Sequence, residues 1–371
     1  MRILITGGSR GIGRACVELF AKENYDVVFF YRSSAQIADD ICKQYNNVSA
    51  IQCDVSSPDE VRAAVAECIE KLGGIDASFA ALKESGFEAI EYAFITPDIN
   101  WEDMKAGKHS KFFEDEYFWN NAREVKAASE KYGIELVQCH APMPSYISGA
   151  TEEGNQLLRD YMVKSIVFCG FCGIPNIVIH PLFDGSYRFP KLTKEDEIGL
   201  NFDFYCSLIP ALKANGVTCL LENMFCQDWK SKKIYTAICS DMNEAAYYID
   251  GLNRIAESEC FGFCLDIGHL LVLGLDGKTC MEKLGDRIKA LHIHDNDGFD
   301  DLHLAPYQGL NDWEKFLKGL IAINYTGDLN FEAPGSINQV PPALIPSALR
   351  FLADTGKFFR ARIEKTRSEQ K

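Results

Sequence analysis

Short apolar runs alternate with longer amphipathic segments along most of the chain, and this alternation predicts parallel strands connected by helices. Three runs lie in the first 57 residues, within MRILIT, DVVFFYRSS and SAIQCDVSS. Seven more follow residue 77: AIEYAF (89–94), IELVQCH (134–140), NIVIHP (176–181), VTCLLEN (217–223), FGFCLDIGH (261–269), IKALHIHD (288–295) and GDLNFEA (327–333). The second group has the spacing of a (β/α)8 barrel, whereas the first group stops after three strands and their helices.

The first group contains a glycine-rich turn directly between its first strand and its first helix, in MRILITGGSRGIG. Gly7, Gly11 and Gly13 would let the backbone approach a pyrophosphate, and the helix would point its positive end at the phosphates. Arg32 follows the second strand, where an acidic residue would bind a ribose 2′-hydroxyl. An arginine there favours a 2′-phosphate, and therefore NADP over NAD.

Residues 1–76 resemble the opening of the short-chain dehydrogenase/reductase family, through TGGSRGIG (6–13) and CDV (53–55). The resemblance implies a partial Rossmann-like βαβαβα unit whose cofactor-binding residues are Gly7, Ser9, Arg10, Gly11, Ile12, Gly13, Arg32 and Asp54. It ends after GGID (73–76), because no Asn-Ala-Gly turn and no Tyr-x-x-x-Lys in a suitable context follow. Dehydrogenase chemistry is therefore not expected, and a segment that binds no cofactor is the alternative interpretation.

Almost every strand of the second group ends in histidine, aspartate or glutamate. The carboxyl ends of parallel barrel strands converge on one mouth, so these side chains are expected to lie close together. The set comprises His140, His180, Glu222, Asp266, His269, His292, His294, Asp301, His303 and Glu332. So many buried acids would be costly without a cation, and mixed imidazole and carboxylate ligands suit Mn, Co, Mg or Zn. The sequence therefore predicts a divalent metal site.

Residues 77–371 resemble the xylose-isomerase-like TIM-barrel superfamily of sugar phosphate isomerases and epimerases. The motifs that carry this resemblance are CHAP, VIHP, LLEN, LDIGH, LHIHDNDG…DLH and FEAP. The resemblance implies metal ligands at Glu222, Asp266, His292 and Glu332, with His269 near the substrate and Glu222 and Glu332 as the acid/base pair. Further ligands at His140, His180, His269, Asp301 and His303 are a second expectation.

Such a site would act on a small carbohydrate, whether a sugar, a sugar phosphate or a cyclitol. A metal bound to adjacent oxygens of a hydroxy-ketone acidifies the neighbouring C–H, so a carboxylate can remove the proton and give a metal-stabilised enediolate. Return of the proton to the other carbon isomerises the sugar, and return to the opposite face epimerises it. A dehydration that begins with the same proton abstraction stays open at this stage.

Two other functions are compatible with parts of the sequence. Zinc-dependent apurinic endonucleases of the same superfamily use a three-zinc cluster, and each ligand type of that cluster has a counterpart in the strand-end set. The formal net charge is −15, and the first 75 residues are nearly balanced, so the barrel segment is acidic and nucleic acid is disfavoured. A non-catalytic NADP-binding fusion protein is the remaining alternative, and it would require a barrel mouth without metal.

The barrel segment begins with the helical pattern DASFAALKESGF (76–87) and supplies seven strands, so its first strand is missing. The gap could be closed by a borrowed strand such as SAIQC, or it could stay open, or the fusion could fold poorly. Open edges would permit pairing with another chain, so a homo-oligomer is expected as one outcome. The chain has no long apolar stretch and no signal-peptide layout, which predicts a soluble cytoplasmic protein with no membrane partner.

Overall fold

A computed structural model describes residues 2–71, 74–94, 99–183, 192–228 and 230–369. It divides into two compact units, residues 1–81 and 82–371. The first unit contains three strands and three helices before α4 (Gly74–Ser85), which spans the division: β1 (Arg2–Thr6), α1 (Gly11–Lys22), β2 (Asp26–Tyr31), α2 (Ala35–Gln44), β3 (Val48–Gln52) and α3 (Pro58–Lys71). All three strands are parallel, in the order β1-β2-β3.

The central strand of the first unit, β2, is buried on both faces. Val27 and Phe29 pack with residues of α1 and α2 on one face. Val28 and Phe30 pack with Ile51 and residues of α3 on the other. A nearly continuous apolar strand is what a parallel sheet covered by helices requires, and the predicted partial Rossmann-like unit is therefore confirmed.

The second unit is built around a six-stranded parallel sheet in the order β11-β10-β7-β6-β5-β4. Its strands are β4 (Ala89–Ala93), β5 (Glu135–His140), β6 (Asn176–Val178), β7 (Thr218–Glu222), β10 (Phe261–Asp266) and β11 (Ile288–His292). A short antiparallel hairpin of β8 (Phe225–Gln227) and β9 (Ile234–Thr236) follows β7. Each strand of the sheet coincides with one of the predicted apolar runs.

Helices connect these strands and follow the last of them. They are α5 (Trp101–Lys105), α6 (Asp115–Tyr132), α7 (Glu152–Cys172), α8 (Lys194–Asn215), α9 (Met242–Ala256), α10 (Ile267–Val272), α11 (Gly277–Leu284), α12 (Trp313–Ala322), α13 (Pro334–Asn338) and α14 (Ile345–Glu369). Their ends follow local sequence signals. Thr193 and Asp196 form a capping box at the start of α8, and Gly133, Gly173 and Gly216 end helices in the left-handed conformation.

The seventh predicted run, GDLNFEA, continues the sheet beyond β11 by only one parallel bridge, between Ile293 and Phe331. The Ile293 amide donates to the carbonyl of Asn330 at 2.9 Å, and the Glu332 amide donates to the carbonyl of Ile293 at 3.2 Å. Among the described residues, no strand lies between this segment and β4. The absence of the first barrel strand therefore agrees with the prediction, while SAIQC, in β3, pairs with β2 in the other sheet.

The interior of the six-stranded sheet is filled by small and medium side chains from neighbouring strands. Val178, Leu220, Cys264 and Ala290 form one buried cluster there. The polar residues at the carboxyl ends of the strands therefore lie next to a layer of apolar side chains. The part of the chain that the structure describes contains no disulfide bond, and ten of the fourteen cysteines are buried. Within the described ranges, no helix combines the length and the apolar character needed to cross a membrane.

Candidate metal centre

Four side chains from consecutive positions around the sheet meet at its carboxyl edge. Glu222 ends β7, Asp266 ends β10, His292 ends β11, and Glu332 lies in the bridged segment that follows. Each offers a nitrogen or carboxylate oxygen, and these atoms all lie within 4.8 Å of one another. Glu222, Asp266 and His292 are buried, and the Glu332 side chain is 28% exposed. We refer to these four residues as the central cluster.

The imidazole of His292 lies at the middle of the central cluster. Its Nδ1 atom is 3.1 Å from Oε2 of Glu332 and 3.3 Å from Oε1 of Glu222. Despite this proximity, neither Nδ1 of His292 nor Oε2 of Glu222 has a hydrogen-bond partner among the described residues. Buried polar atoms without partners are costly. Three carboxylates and one imidazole converging with unsatisfied atoms therefore fit a divalent cation.

The two glutamates of the central cluster have opposite electrostatic environments. Burial by itself would raise the pKa of Glu222, but the charges of His292 and His180 outweigh it and hold that pKa well below the ordinary value. Burial raises the pKa of Glu332 above its ordinary value; the charge of His292 opposes this effect, and the charges of Glu222 and Asp266 add to it. Carboxylates with separated pKa values are suited to opposite roles in proton transfer.

Backbone capping fixes the orientation of Asp266. Its Oδ1 atom accepts a hydrogen bond from the His269 amide at 2.7 Å and so caps α10, whereas Oδ2 lies 3.0 Å from Nε2 of His294. Asn223, from the LLEN motif, exchanges two hydrogen bonds with the backbone of Asp266 at 2.8 and 2.9 Å. The ends of β7 and β10 are therefore locked together directly beside the central cluster.

The remaining residues of the strand-end set extend the site on both sides. His140 and His180 lie 3.0 Å apart through their Nε2 atoms, and Nε2 of His180 lies 3.2 Å from Oε2 of Glu222. On the other side, Asp301 accepts from Nε2 of His303 at 2.9 Å. Three further groups could each hold an ion: His140, His180 and Glu222; Asp266, His269 and His294; and His294, Asp301 and His303.

Two histidines of these outer groups have pKa values that are shifted in opposite directions. Burial lowers the pKa of His140 to about 4, and the neighbouring His180 adds to the effect. Burial would also lower the pKa of His269, but Asp266 and Asp301 raise it to about 10. The metal-free site therefore holds a neutral imidazole at His140 and a charged one at His269, which hydrogen-bonds the Asn223 carbonyl through Nδ1 at 2.8 Å.

Gly268 illustrates how closely the backbone approaches this site. A Cβ atom at this position would lie 1.9 Å from Cε1 and 2.3 Å from Nδ1 of His294. Because His294 is fully buried, Gly268→Ala is expected to destabilise the protein by about 1–3 kcal/mol. The shift would be measured as a lower thermal unfolding midpoint.

Gly199→Ala provides the matched control for this substitution. Gly199 lies in α8, and a Cβ atom there would meet nothing within 4 Å. This variant is expected to be neutral or more stable by about 0.5–1 kcal/mol. An unchanged midpoint in Gly268→Ala would contradict the close approach.

A cavity of about 810 Å³ connects the site with the gap in the sheet. Its lining includes His140 and Glu332, apolar side chains such as Phe331 and Leu352, and charged residues such as Lys357. Its volume is within the range of small-molecule sites in proteins.

The structure also places, next to the central cluster, residues that were not predicted from the sequence. Glu91, in the middle of β4, lies 3.2 Å from Nε2 of His292, and Gln138 and Asn330 bond to its carboxylate. The prediction considered only residues at strand ends. The signal that could have identified Glu91 is a charged residue that interrupts the apolar run AIEYAF.

In the first unit, the glycine-rich turn connects β1 to α1. Gly7 and Gly11 have φ values of 68° and 53°, and a Cβ atom at Gly13 would lie 2.3 Å from the Gly7 carbonyl oxygen. The turn leads into the amino terminus of α1, which could face a phosphate. Ser9 is buried next to it, and Ile12 is 86% exposed.

Both arginines of the proposed cofactor-binding set contact other residues of the first unit. Arg10 donates to Oγ of Ser34 through Nε at 3.0 Å. Arg32 forms an ion pair with Asp54 at 2.8 Å. Hydrogen bonds from Ser56 chiefly lower the pKa of Asp54, and Arg32 contributes to the same shift. A ribose 2′-phosphate at Arg32 would therefore have to compete with Asp54.

Comparisons with known families account for almost the whole chain. The model of the family described as xylose isomerase-like TIM barrel matches residues 79–355, and the chain belongs to this family. The model described as short chain dehydrogenase matches residues 1–81. Both resemblances predicted from the sequence motifs are thus confirmed.

Curated relatives match about a quarter of the chain. Protein y4fM of Sinorhizobium fredii is 43% identical over 77 residues, which are 21% of this chain and 25% of that protein. The 3-oxoacyl-(acyl-carrier-protein) reductase FabG of Staphylococcus aureus is 35% identical over 105 residues, which are 27% of this chain and 42% of that protein. The chain therefore spans less than half the length of these relatives.

Solved structures resemble about three quarters of the chain. The 3-keto-D-glucoside 4-epimerase YcjR of E. coli covers 75% of this chain and 93% of its own, with a TM-score of 0.56 and 18% identity. An L-ribulose 3-epimerase covers 79% and 91%, with a TM-score of 0.58 and 15% identity. A putative xylose isomerase from Rhodospirillum rubrum covers 76% and 93%, with a TM-score of 0.60 and 16% identity. At these identities, the similarity establishes the fold.

Proposed function

We propose that this protein is a metal-dependent isomerase or epimerase that acts on a small carbohydrate. The observation that carries the proposal is the convergence of the central cluster within 4.8 Å at the carboxyl edge of the sheet. The similar structures include epimerases of L-ribulose and of 3-keto-D-glucoside, which supports this substrate class. The adjoining cavity has room for a monosaccharide or a glycoside.

The central cluster would hold one divalent ion through Glu222, Asp266, His292 and Glu332. A bound ion would supply a Lewis acid that polarises a carbonyl. The protein's own contribution is proton transfer beside that carbonyl. In the metal-free site the pKa of Glu222 is held low and the pKa of Glu332 is raised, so we assign removal of the proton to Glu222 and its return to Glu332. His269 would donate a hydrogen bond to a substrate oxygen.

The substrate implied by this arrangement carries a carbonyl with an adjacent C–H bond. Incubation of the full-length protein and Mn²⁺ or Co²⁺ with ketopentoses, ketohexoses, 3-keto glycosides and their phosphates in D₂O tests this directly. We expect deuterium to enter next to the carbonyl of at least one substrate, together with an isomeric or epimeric sugar, as followed by NMR. A metal-loaded protein that exchanges no deuterium with any of these substrates would refute the proposal.

A three-zinc phosphodiesterase is the second candidate, because the outer groups offer further ion sites beside the central cluster. Metal content by mass spectrometry separates the two functions: one ion per chain agrees with the isomerase, and three zinc ions agree with the phosphodiesterase. The acidic composition, with a net charge of −15, disfavours a polyanionic substrate.

A further inference from the structure

Glu91 is a buried carboxylate that the proposed reaction does not use. Its side chain is 11% exposed, and it lies on β4 at the edge of the sheet. Three donors surround it. Gln138 donates to Oε1 at 3.0 Å, Nε2 of His292 lies 3.2 Å from Oε1, and Asn330 donates to Oε2 at 2.8 Å.

The two ring nitrogens of His292 therefore face different carboxylates. Nδ1 points into the central cluster, between Glu222 and Glu332, whereas Nε2 points away from it toward Glu91. A histidine that ligates a metal through one nitrogen commonly donates its other N–H to a carboxylate, and this bond fixes the tautomer and the ring orientation.

We propose that Glu91 is a positioning residue that holds the imidazole of His292 with Nδ1 directed at the metal centre. This inference rests on the proposed function, because it assigns Glu91 a role toward the ion held by the central cluster. Glu91 is not one of the four residues of the central cluster, and its proposed role is exerted through His292.

The local backbone supports this role. The register of β4 against β5 shifts between Ile90 and Glu91, so that Ile90 pairs with Leu136 and Glu91 pairs with Gln138. Irregularities of this kind re-aim a side chain and are frequent beside active sites. Here the shift places Glu91 beside Gln138, with its carboxylate on the side of the sheet where His292 lies.

The gap in the sheet gives a second reason why hydrogen bonds are needed to hold the Glu91 carboxylate in place. Among the described residues, β4 has a strand neighbour only on the side of β5, so its other edge lacks the support that a first barrel strand would give. Asn330 lies in the segment on the far side of this gap and bonds directly to Glu91. The two amide side chains thus fix the carboxylate from both sides at the level of the central cluster.

Metal titration of the full-length, metal-stripped protein tests the proposal with Co²⁺ and Mn²⁺ as probes. Glu91→Leu removes the acceptor and is expected to weaken binding by about 10–100-fold. Glu91→Gln keeps one acceptor oxygen without the charge and should weaken binding to a smaller extent. The visible absorption of bound Co²⁺ should change in Glu91→Leu, because the imidazole is no longer held in one orientation.

Glu88→Gln is the matched control, since Glu88 precedes β4 and its 63% exposed side chain pairs with Arg360. It should bind both ions as the unmodified protein does. Thermal unfolding of the metal-free variants separates positioning from stability: a purely structural role would lower the unfolding midpoint and the ion affinity together. We expect Glu91→Gln to keep its midpoint while losing affinity.

The outcomes distinguish this inference from the proposed function. Unmodified protein that binds no Co²⁺ or Mn²⁺ would refute the metal centre itself. If the unmodified protein binds one ion, and Glu91→Leu and Glu91→Gln bind it with unchanged affinity and an unchanged Co²⁺ spectrum, the role of Glu91 is refuted and the function stands. Should Glu91→Leu fail to fold, the affinity and spectrum of Glu91→Gln decide alone.

Discussion

Glu222→Gln is expected to abolish tight binding of the divalent ion and to lower kcat/KM by about 10²–10⁴-fold. Glu222 is a buried carboxylate with several histidines around it. Its side chain is 1% exposed, and its oxygens lie 3.2 Å from His180, 3.3 Å from His292 and 3.5 Å from His269. Glutamine preserves the shape of the side chain but removes the charge that offsets a cation.

Metal content by mass spectrometry and deuterium exchange into a ketose substrate measure the two effects of this substitution. Glu282→Gln is the control, because Glu282 is an exposed residue of α11 that pairs only with Lys278 among the described residues. It should retain both ion and activity. A Glu222→Gln protein that keeps one ion per chain and full exchange would show that the ion is held elsewhere.

The sequence was sufficient to predict the strands and the residues at their ends. Parallel barrel strands deliver their last residues to one edge, so the rule that places Glu222, Asp266 and His292 together depends only on where each apolar run stops. It does not depend on the details of packing. The glycine-rich turn was equally predictable, because the positive φ values at Gly7 and Gly11 follow from local chemistry.

Glu91 could not be assigned in the same way, because its direction depends on register. A one-residue slip turns a strand residue to the opposite face of the sheet. The shift between Ile90 and Glu91, and a second shift between Phe263 and Cys264, are determined by contacts with neighbouring strands. No feature of the apolar pattern in AIEYAF indicates where such a shift falls.

The seventh run shows a different limit of sequence reasoning. GDLNFEA has the composition of a strand, yet it pairs through a single bridge at Phe331, and it has no strand on its other side among the described residues. A parallel strand in the interior of a barrel is held by two neighbours. Where one neighbour is absent, local preference alone does not produce a regular strand, although Glu332 still reaches the central cluster.

Glu332 lies on this weakly paired segment. Of the two members of the acid/base pair, it is therefore the one whose replacement should disturb the metal centre less. Its side chain is 28% exposed, and its pKa is raised chiefly by burial and by the charges of Glu222 and Asp266. Three other ligands of the central cluster remain when it is replaced. We therefore expect Glu332→Gln to weaken ion binding less than Glu222→Gln does.

The largest effect of Glu332→Gln should be on the delivery of the proton. If Glu222 removes the proton and Glu332 returns one, the variant still exchanges substrate hydrogen for deuterium but forms the isomeric or epimeric sugar about 10²–10⁴-fold more slowly. NMR in D₂O measures both rates in one sample, and Glu314→Gln, an exposed residue paired with Arg362, is the control. Equal loss of exchange and of product would instead assign both proton transfers to a single carboxylate. That result would leave Glu332 as a metal ligand without a role of its own in proton transfer.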